Sequence, residues 1–230
     1  MASILNVSPD PSLDLFRGEP TGTIGVDEAG KGDYFGPLVV AACYADEKIE
    51  KAFLAVGLRE SKKVSDSRAY LLENEIKKLT PFEVVVIGPE KYNELHRKIR
   101  NLNKLLAWGH ARALENLLAR VNPEEVVTDQ FGDKRFIEQA LMKKGSAVRL
   151  TQRTKAESIP AVAAASILAR AEFLRRLDSL SRQYGLELPK GAGSQVDEVA
   201  KIVVARLGRE GLARVAKLHF KNTKRILGPA

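Results

Sequence analysis

The chain has 230 residues, the length of one large domain or two small ones, and 44% of them are hydrophobic, which excludes intrinsic disorder. The longest apolar stretches, residues 37–45 and 160–169, fall short of the ~18 residues that a membrane-spanning helix requires. The lone Cys43 excludes an intrachain disulfide, and residues 1–20 lack the basic start and apolar run of a secretory signal. We therefore expect a cytoplasmic location.

The basic residues are unevenly distributed along the chain. Lys and Arg number 37 against 29 Asp and Glu, which gives a net charge of +8. Residues 201–230 contain eight basic residues and one acid, and residues 143–155 contain five basic residues and no acid. Such asymmetry is typical of a face that binds a polyanion, although ordinary solvated helix faces would give the same counts.

In chain order, residues 1–20 contain three prolines and are interpreted as a tail or linker, and residues 21–230 as one folded domain. Runs rich in β-branched residues predict five strands, at 23–26, 38–44, 82–87, 125–128 and 147–151. The turn between the first two strands contains Gly30, Gly32 and Gly36. It is too short for a crossover helix, so these strands are expected to form an antiparallel pair.

Segments with the helical spacing of apolar residues lie between and after the later strands. One begins at Ser65 and places four apolar residues on one face: Leu71, Leu72, Ile76 and Leu79. The others are expected at 103–120, at 158–180 and, as two basic amphipathic helices, from about Gln195 and Gly211. This order predicts an α/β fold with a mixed five-stranded sheet, helices on both faces and additional C-terminal helices.

Acidic residues follow two of the predicted strands at the point where each strand ends. Asp27 and Glu28 end the first strand, and Asp129 ends the fourth. If these strands are neighbours, the carboxylates converge, and their repulsion favours a cation between them. Mg²⁺ takes oxygen ligands of this kind, and two-metal sites use them for phosphodiester hydrolysis. Solvated strand ends would show the same residues without a metal.

Glu157 is a fourth candidate. It lies at the next strand-to-helix junction, directly before the Ala-rich segment 158–180, where its side chain would reach the same crevice. The alternative is an acid that only stabilises a helix N-terminus, a favourable contact of ~0.3 to 1 kcal/mol.

Several ordered motifs between residues 21 and 227 resemble the type 2 ribonucleases H. The opening motif is IGVDEAGKGDYFGP at 24–37, and its KGDYFGP part is similar to ribonuclease HIII in particular. The other motifs are SKK at 61–63, YN at 92–93, NLN at 101–103, LAWGH at 106–110, TDQFG at 128–132, KAES at 155–158, AAASILAR at 163–170 and LPKGAG at 188–193.

This resemblance implies an RNase H-like fold and an endoribonuclease that hydrolyses the RNA strand of RNA/DNA hybrids, leaving 3′-hydroxyl and 5′-phosphate ends. It implies Mg²⁺ or Mn²⁺ as the cofactor, held by four carboxylates that match the family in order: Asp27, Glu28, Asp129 and Glu157. No membrane and no obligate protein partner are expected.

The expected nucleic-acid contacts are Gly30, Lys31, Gly32, Ser61, Lys62, Lys63, Asn101, Asn103 and Lys190. The two glycines would let the backbone approach a ribose 2′-hydroxyl, although a tight hairpin turn would also need glycine. The lysines would contact phosphates or be solvated, and Ser61 and the two asparagines would contact the nucleic-acid backbone or cap a helix.

Several other polar and aromatic residues are given no catalytic role. Three lysines of the basic C-terminal segment are expected to neutralise phosphates beside the cleft: Lys217, Lys221 and Lys224. The three histidines, His96, His110 and His219, are expected to be structural or at the surface. Trp108 lies on a helix with core spacing and is expected to be packed in the core.

Three features favour ribonuclease HIII over ribonuclease HII. The fourth carboxylate is Glu157 where ribonuclease HII has Asp, the glycine motif is Gly-Lys-Gly rather than Gly-Arg-Gly, and Ala192 stands where ribonuclease HII has a junction-sensing Tyr. Ribonucleases HIII usually carry an N-terminal substrate-binding domain, which the residues before Thr21 are too few to form. The alternatives are a ribonuclease HII-like enzyme that acts at single embedded ribonucleotides and a non-catalytic hybrid-binding module.

Overall fold

The computed structural model describes residues 5–7, 20–58, 64–129, 133, 135–141 and 148–228. The described strands are β1 (Leu5–Val7), β2 (Thr23–Ala29), β3 (Leu38–Ala45), β4 (Phe82–Ile87), β5 (Glu125–Asp129) and β6 (Arg149–Arg153). The described helices are α1 (Glu47–Ala55), α2 (Asp66–Leu79), α3 (Pro89–Ile99), α4 (Leu102–Leu118), α5 (Arg135–Ala140), α6 (Pro160–Tyr184), α7 (Ser194–Val215) and α8 (Lys221–Leu227).

The strands form one mixed sheet in the order β1-β4-β3-β2-β5-β6. The β2–β3, β3–β4 and β1–β4 pairs are antiparallel, whereas β2–β5 and β5–β6 are parallel. The five predicted strands and the antiparallel first pair are therefore confirmed. β1 is an addition, because three residues of the segment interpreted as a tail pair with the outer edge of β4.

Helices cover both faces of the sheet, as predicted. α6 lies on one face so closely that a Cβ atom at Gly25 would overlap the backbone of Ala161 and Val162. On the opposite face α4 approaches β3 at Gly109, where an added Cβ would lie 3.0 Å from a methyl group of Val40. These two glycines let α6 approach β2, which carries Asp27 and Glu28, and let α4 approach the neighbouring strand β3.

The structure corrects one detail of the predicted helices and confirms another. Leu71 is 58% exposed, whereas Leu72 and Ile76 are buried. Successive residues of a helix point about 100° apart, so Leu71 and Leu72 cannot both face the core. The two helices expected from about Gln195 and Gly211 are confirmed as the two parts of α7, because Gly208 between them is non-helical (φ +69°), and α8 follows as a separate helix.

Three described helices, α1, α3 and α5, are additions to the prediction. They have 9, 11 and 6 residues, so each gives only a short periodic signal. α1 begins after Asp46, whose side chain accepts a hydrogen bond from the backbone of Ile49 at 2.8 Å. None of the helices in the described ranges is long and apolar enough to span a membrane.

Candidate active site

The parallel pairing of β2 with β5 brings two of the predicted carboxylates side by side. The parallel register pairs Val26 with Thr128, and Asp27 and Asp129 are the next residues of their strands. Neighbouring strands lie about 4.8 Å apart. Asp27 and Asp129 therefore stand next to each other where the parallel pairing of β2 and β5 ends. β2 itself continues to Ala29 as a partner of β3, so Asp27 and Glu28 lie within this strand and do not end it as predicted.

A hydrogen bond brings the segment with Glu157 to the same edge. The backbone N–H of Ala156 donates to Oδ1 of Asp129 at 3.3 Å. Ala156 and the half-buried Glu157 belong to the 3₁₀ turn Ala156–Ser158, which a left-handed residue, Lys155 (φ +57°), precedes. Ala156 is buried with Val127 of β5 in a small apolar cluster, which fixes the turn on the strand. Three chain segments thus carry predicted carboxylates to one edge of the sheet.

Asp27 and Glu28 face different helices, because side chains alternate along a strand. Asp27 hydrogen-bonds Ser166 of α6, and its Oδ1 accepts from the backbone of Glu28 at 2.8 Å. Burial, followed by the charge of Glu28, raises the pKa of Asp27 from 3.8 to about 6, although Ser166 acts in the opposite direction. A cation beside Asp27 would remove this cost, because it favours the ionised carboxyl.

Glu28 points towards α4, where it contacts His110. Nε2 of the fully buried His110 lies 2.8 Å from Oε2 of Glu28, and Nζ of Lys31 lies 3.3 Å from Oε1. Burial raises the pKa of Glu28, but the contacts with His110 and Lys31 outweigh burial, so that the pKa lies below its usual value. Glu28 is therefore held as a carboxylate in the absence of a cation.

His110 is a residue of the site that the sequence interpretation missed. The sequence predicts a structural or surface role for His110, and its side chain is indeed buried, but its partner is a candidate metal ligand. The available signal was its place on the apolar face of α4, because a buried imidazole needs a polar partner.

The donor set fits a hard divalent cation. In the described part of the chain, no three His, Cys, Asp or Glu side chains already form a group that could hold a metal ion. The candidate carboxylates are instead engaged with Ser166, His110 and the backbone of Ala156. Their oxygen atoms are nevertheless the ligand type that Mg²⁺ and Mn²⁺ prefer. Asp27, Glu28, Asp129 and Glu157 would hold the ion after local side-chain rotation.

The glycine turn, residues 30–36, lies beside these carboxylates, and its first two glycines differ. Gly30 has φ +86°, and a Cβ there would overlap the carbonyl oxygen of Pro37 and crowd the ring of Phe173. Glycine at this position is therefore required by the fold itself. At Gly32 an added Cβ would meet no described atom within 4 Å. This position is open towards solvent, where a ligand could approach the backbone.

A cavity of about 320 Å³ adjoins the turn and Glu28, and its polar lining includes Ser166, Arg170 and Lys190. Arg170 and Lys190 both bind Asp66, at 2.9 and 2.6 Å. The predicted phosphate contact Lys190 therefore does lie at the candidate site, and it is half-exposed there.

The other predicted nucleic-acid contacts either lie outside the described residues or belong to the start of α4. Ser61, Lys62 and Lys63 lie outside the described residues. Asn101 caps α4, since its Oδ1 accepts from the backbone of Lys104 at 3.0 Å, and Asn103 is half-buried in the first turn of that helix.

Lys217 is not at the surface, contrary to the prediction that it neutralises phosphate. It is fully buried, and its Nζ donates to three backbone carbonyl oxygens of the segment that ends the glycine turn. The reason is that this part of the chain is not a solvated helix face: the preceding residue, Ala216, pairs with Phe35 in an antiparallel bridge. Lys221 and Lys224 of α8 are exposed, as expected.

The comparison with protein families decides between the hypotheses. The family model "Ribonuclease HII" matches residues 24–223. The ribonuclease HIII of Protochlamydia amoebophila is 42% identical over 220 residues, which are 96% of this chain and 71% of that protein. The chain belongs to the ribonuclease HIII branch of the type 2 ribonuclease H family.

Other ribonucleases H extend this likeness to solved structures. The ribonuclease HIII of Listeria monocytogenes is 40% identical over 210 residues, 89% of this chain and 68% of that protein. The crystal structure of Bst-RNase HIII in complex with Mn²⁺ matches with a TM-score of 0.83 and 38% identity, covering 95% of this chain and 73% of that chain. The ribonuclease H2 from Pyrococcus horikoshii matches with a TM-score of 0.76 and 25% identity, covering 89% and 96%.

Membership in this family makes the protein a ribonuclease H, an endoribonuclease. It also confirms the RNase H-like fold. The hypothesis of a non-catalytic binding module is accordingly set aside.

Proposed function

We propose that this ribonuclease H hydrolyses the RNA strand of RNA/DNA hybrids with Mg²⁺ or Mn²⁺ held by four residues: Asp27, Glu28, Asp129 and Glu157. The observation that carries the proposal is the register of β2 and β5, which aligns Asp27 with Asp129. The hydrogen bond from Ala156 to Asp129 supports the inclusion of Glu157. The Mn²⁺ complex of a relative supports the choice of metal.

The protein's own groups prepare the site for this reaction. Ser166 orients Asp27, and His110 keeps Glu28 ionised, so both carboxylates are presented at the strand end. When bound, the ions would lower the pKa of the attacking water and stabilise the leaving 3′ oxygen. Water attack with cleavage of the P–O3′ bond leaves a 3′-hydroxyl on one fragment and a 5′-phosphate on the other.

Substrate recognition is proposed to involve the glycine turn and the basic residues around it. The open side of Gly32 would let backbone amides approach a ribose 2′-hydroxyl, which DNA lacks. Lys190 lines the same cavity as Glu28, and Lys31 contacts Glu28 directly. Both lysines would contact phosphates, which position the duplex without specifying its sequence. A cytoplasmic location is part of the proposal, and the buried thiol of Cys43 is compatible with it.

The experiment is a cleavage assay on end-labelled RNA/DNA hybrid with Mg²⁺ or Mn²⁺, alongside DNA duplex and RNA duplex of the same sequence. The proposal expects cleavage of the RNA strand of the hybrid only, loss of cleavage in excess EDTA, and product ends that a ligase can rejoin without end repair. Cleavage that persists in EDTA, or products with a 3′-phosphate, would contradict it.

A further inference from the structure

Lys217 occupies an unusual position for a lysine. Its side chain is fully buried, and Nζ lies 3.2 Å from the carbonyl oxygen of Phe35, 2.7 Å from that of Gly36 and 3.4 Å from that of Pro37. An ammonium group has three donors, and three successive carbonyl groups are available to accept them. No carboxylate of the described residues forms an ion pair with it in the structure. Burial lowers the pKa of Lys217 to about 7, so its amine keeps its N–H donors near neutral pH but carries a full charge only below that pH.

The acceptors of Lys217 are in contact with the glycine turn. The carbonyl oxygen of Pro37 lies directly against Gly30, where an added Cβ would overlap it. The backbone N–H of Lys217 also donates to the carbonyl of Tyr34 at 2.9 Å, and that of Gly36 donates to Val215 at 2.9 Å. The C-terminal segment 215–217 thus holds the glycine turn in place through backbone hydrogen bonds and through the buried side chain of Lys217.

Further hydrogen bonds hold the opposite side of the glycine turn and the segment 215–217 itself. The side chain of Asp33 accepts from the backbone of Gly191 at 2.6 Å, and the hydroxyl of Tyr34 lies 3.0 Å from that of Thr223. From α3, the side chain of Asn93 donates to the carbonyl of Ala216 at 2.9 Å and accepts from the backbone of Leu218 at 2.9 Å. Asn93 thus fixes the backbone on both sides of Lys217, which restricts the position of its side-chain amine.

We propose that Lys217 is a positioning residue for substrate recognition, whose buried side-chain amine fixes the glycine turn in the orientation that distinguishes RNA from DNA. The inference rests on the proposed function, in which this turn approaches the 2′-hydroxyl. Lys217 does not touch the substrate; it acts through the carbonyl groups of residues 35–37. Loss of its N–H donors leaves the candidate carboxylates in place and loosens the turn, so substrate affinity falls while the chemical step is retained.

The test compares Lys217→Met, which keeps the length of the side chain without its donors, with the wild type. Dissociation constants for RNA/DNA hybrid and for DNA duplex are measured in EDTA, and KM and kcat for the hybrid in Mg²⁺. We expect hybrid affinity to fall and KM to rise about tenfold, the equivalent of roughly 1.4 kcal/mol, with DNA-duplex affinity and kcat within about twofold. The matched control is Thr80→Val, which removes a buried hydrogen bond to Tyr44 at the opposite end of β3. It should lower the melting temperature and leave KM unchanged.

The outcomes separate this inference from the proposed function. A wild-type protein that neither cleaves nor prefers the hybrid refutes the proposed function itself. A wild type that does both, with an unchanged preference and KM in folded Lys217→Met, overturns only the role of Lys217. If Lys217→Met does not fold, Lys217→Gln, which keeps an amide donor, should fold and show a smaller rise in KM. Failure of both variants to fold would make Lys217 a residue of the folding core and would also overturn the proposal.

Discussion

Replacing Asp27 with Asn should stabilise the metal-free protein while it inactivates the enzyme. The pKa of Asp27 is raised from 3.8 to about 6, chiefly by burial and by the charge of Glu28. The folded protein therefore holds a proton on Asp27 more tightly than the unfolded chain does. This contribution to stability is complete below about pH 4 and is lost as the pH rises towards 6.

The size of the effect follows from the shift. A shift of about two units at 1.36 kcal/mol each gives a cost of about 3 kcal/mol for the ionised group above pH 6. Asn has nearly the same shape and no charge to bury. At pH 8 in EDTA, Asp27→Asn should therefore raise the unfolding free energy by about 1 to 3 kcal/mol, a rise in Tm of roughly 2–12 °C. At pH 4 the two proteins should differ little.

Thermal and urea unfolding at pH 4 and pH 8 check this prediction. Added Mg²⁺ should stabilise the wild type and not the variant, because ligand binding to the folded state raises Tm. Asp178→Asn is the control, since Asp178 is 60% exposed beside Arg182 and its loss should change stability by less than ~0.5 kcal/mol. A variant that is less stable than the wild type at pH 8, or equally stabilised at both pH values, would refute the reasoning.

Three further predictions concern the surroundings of the carboxylates. His110→Ala should lower hybrid cleavage and apparent Mg²⁺ affinity about 10- to 100-fold, because Glu28 loses the partner that orients it. His110→Gln should recover part of both, and wild-type activity of His110→Ala would contradict this prediction. The protein should act poorly on a single ribonucleotide embedded in duplex DNA, since Ala192 offers no aromatic ring; equal turnover of an embedded ribonucleotide and an all-RNA strand would point to ribonuclease HII-like action. Combined Lys221→Gln and Lys224→Gln should flatten the slope of log affinity against log salt by roughly 1 to 2; an unchanged slope would exclude phosphate contacts from α8.

Much of the fold could be predicted because its signals are local. Each central strand is a run of β-branched residues, and Gly30 and Gly36, both with positive φ, mark the turn between β2 and β3. The strand β1 could not be predicted from three residues whose pairing depends on the exposed edge of β4. Leu71 shows a related limit, since periodicity cannot tell which of two adjacent leucines faces the core.

The candidate site also has a part that the sequence predicts and a part that it does not. Asp27 and Asp129 were predictable as neighbours because each follows the apolar run of its strand, and the parallel register aligns these two runs, although β2 itself continues to Ala29. The partnership of His110 with Glu28 joins residues 82 positions apart, and the burial of Lys217 depends on carbonyl groups about 180 positions away. Both required the packed structure, because nothing in the neighbouring sequence specifies the partner. The likeness to known ribonucleases H identified the function, whereas the individual roles of the carboxylates stay predictions.

The most direct test of the shared carboxylate site is to measure cleavage of labelled RNA/DNA hybrid by Asp129→Asn in Mg²⁺ and in Mn²⁺. Asn keeps the oxygen that accepts from the backbone of Ala156, so the turn with Glu157 stays in place while the negative charge is removed. We predict that cleavage is abolished with both metals, whereas hybrid affinity in EDTA stays close to that of the wild type. Cleavage by Asp129→Asn at a rate near that of the wild type would contradict the metal site where the parallel pairing of β2 and β5 ends.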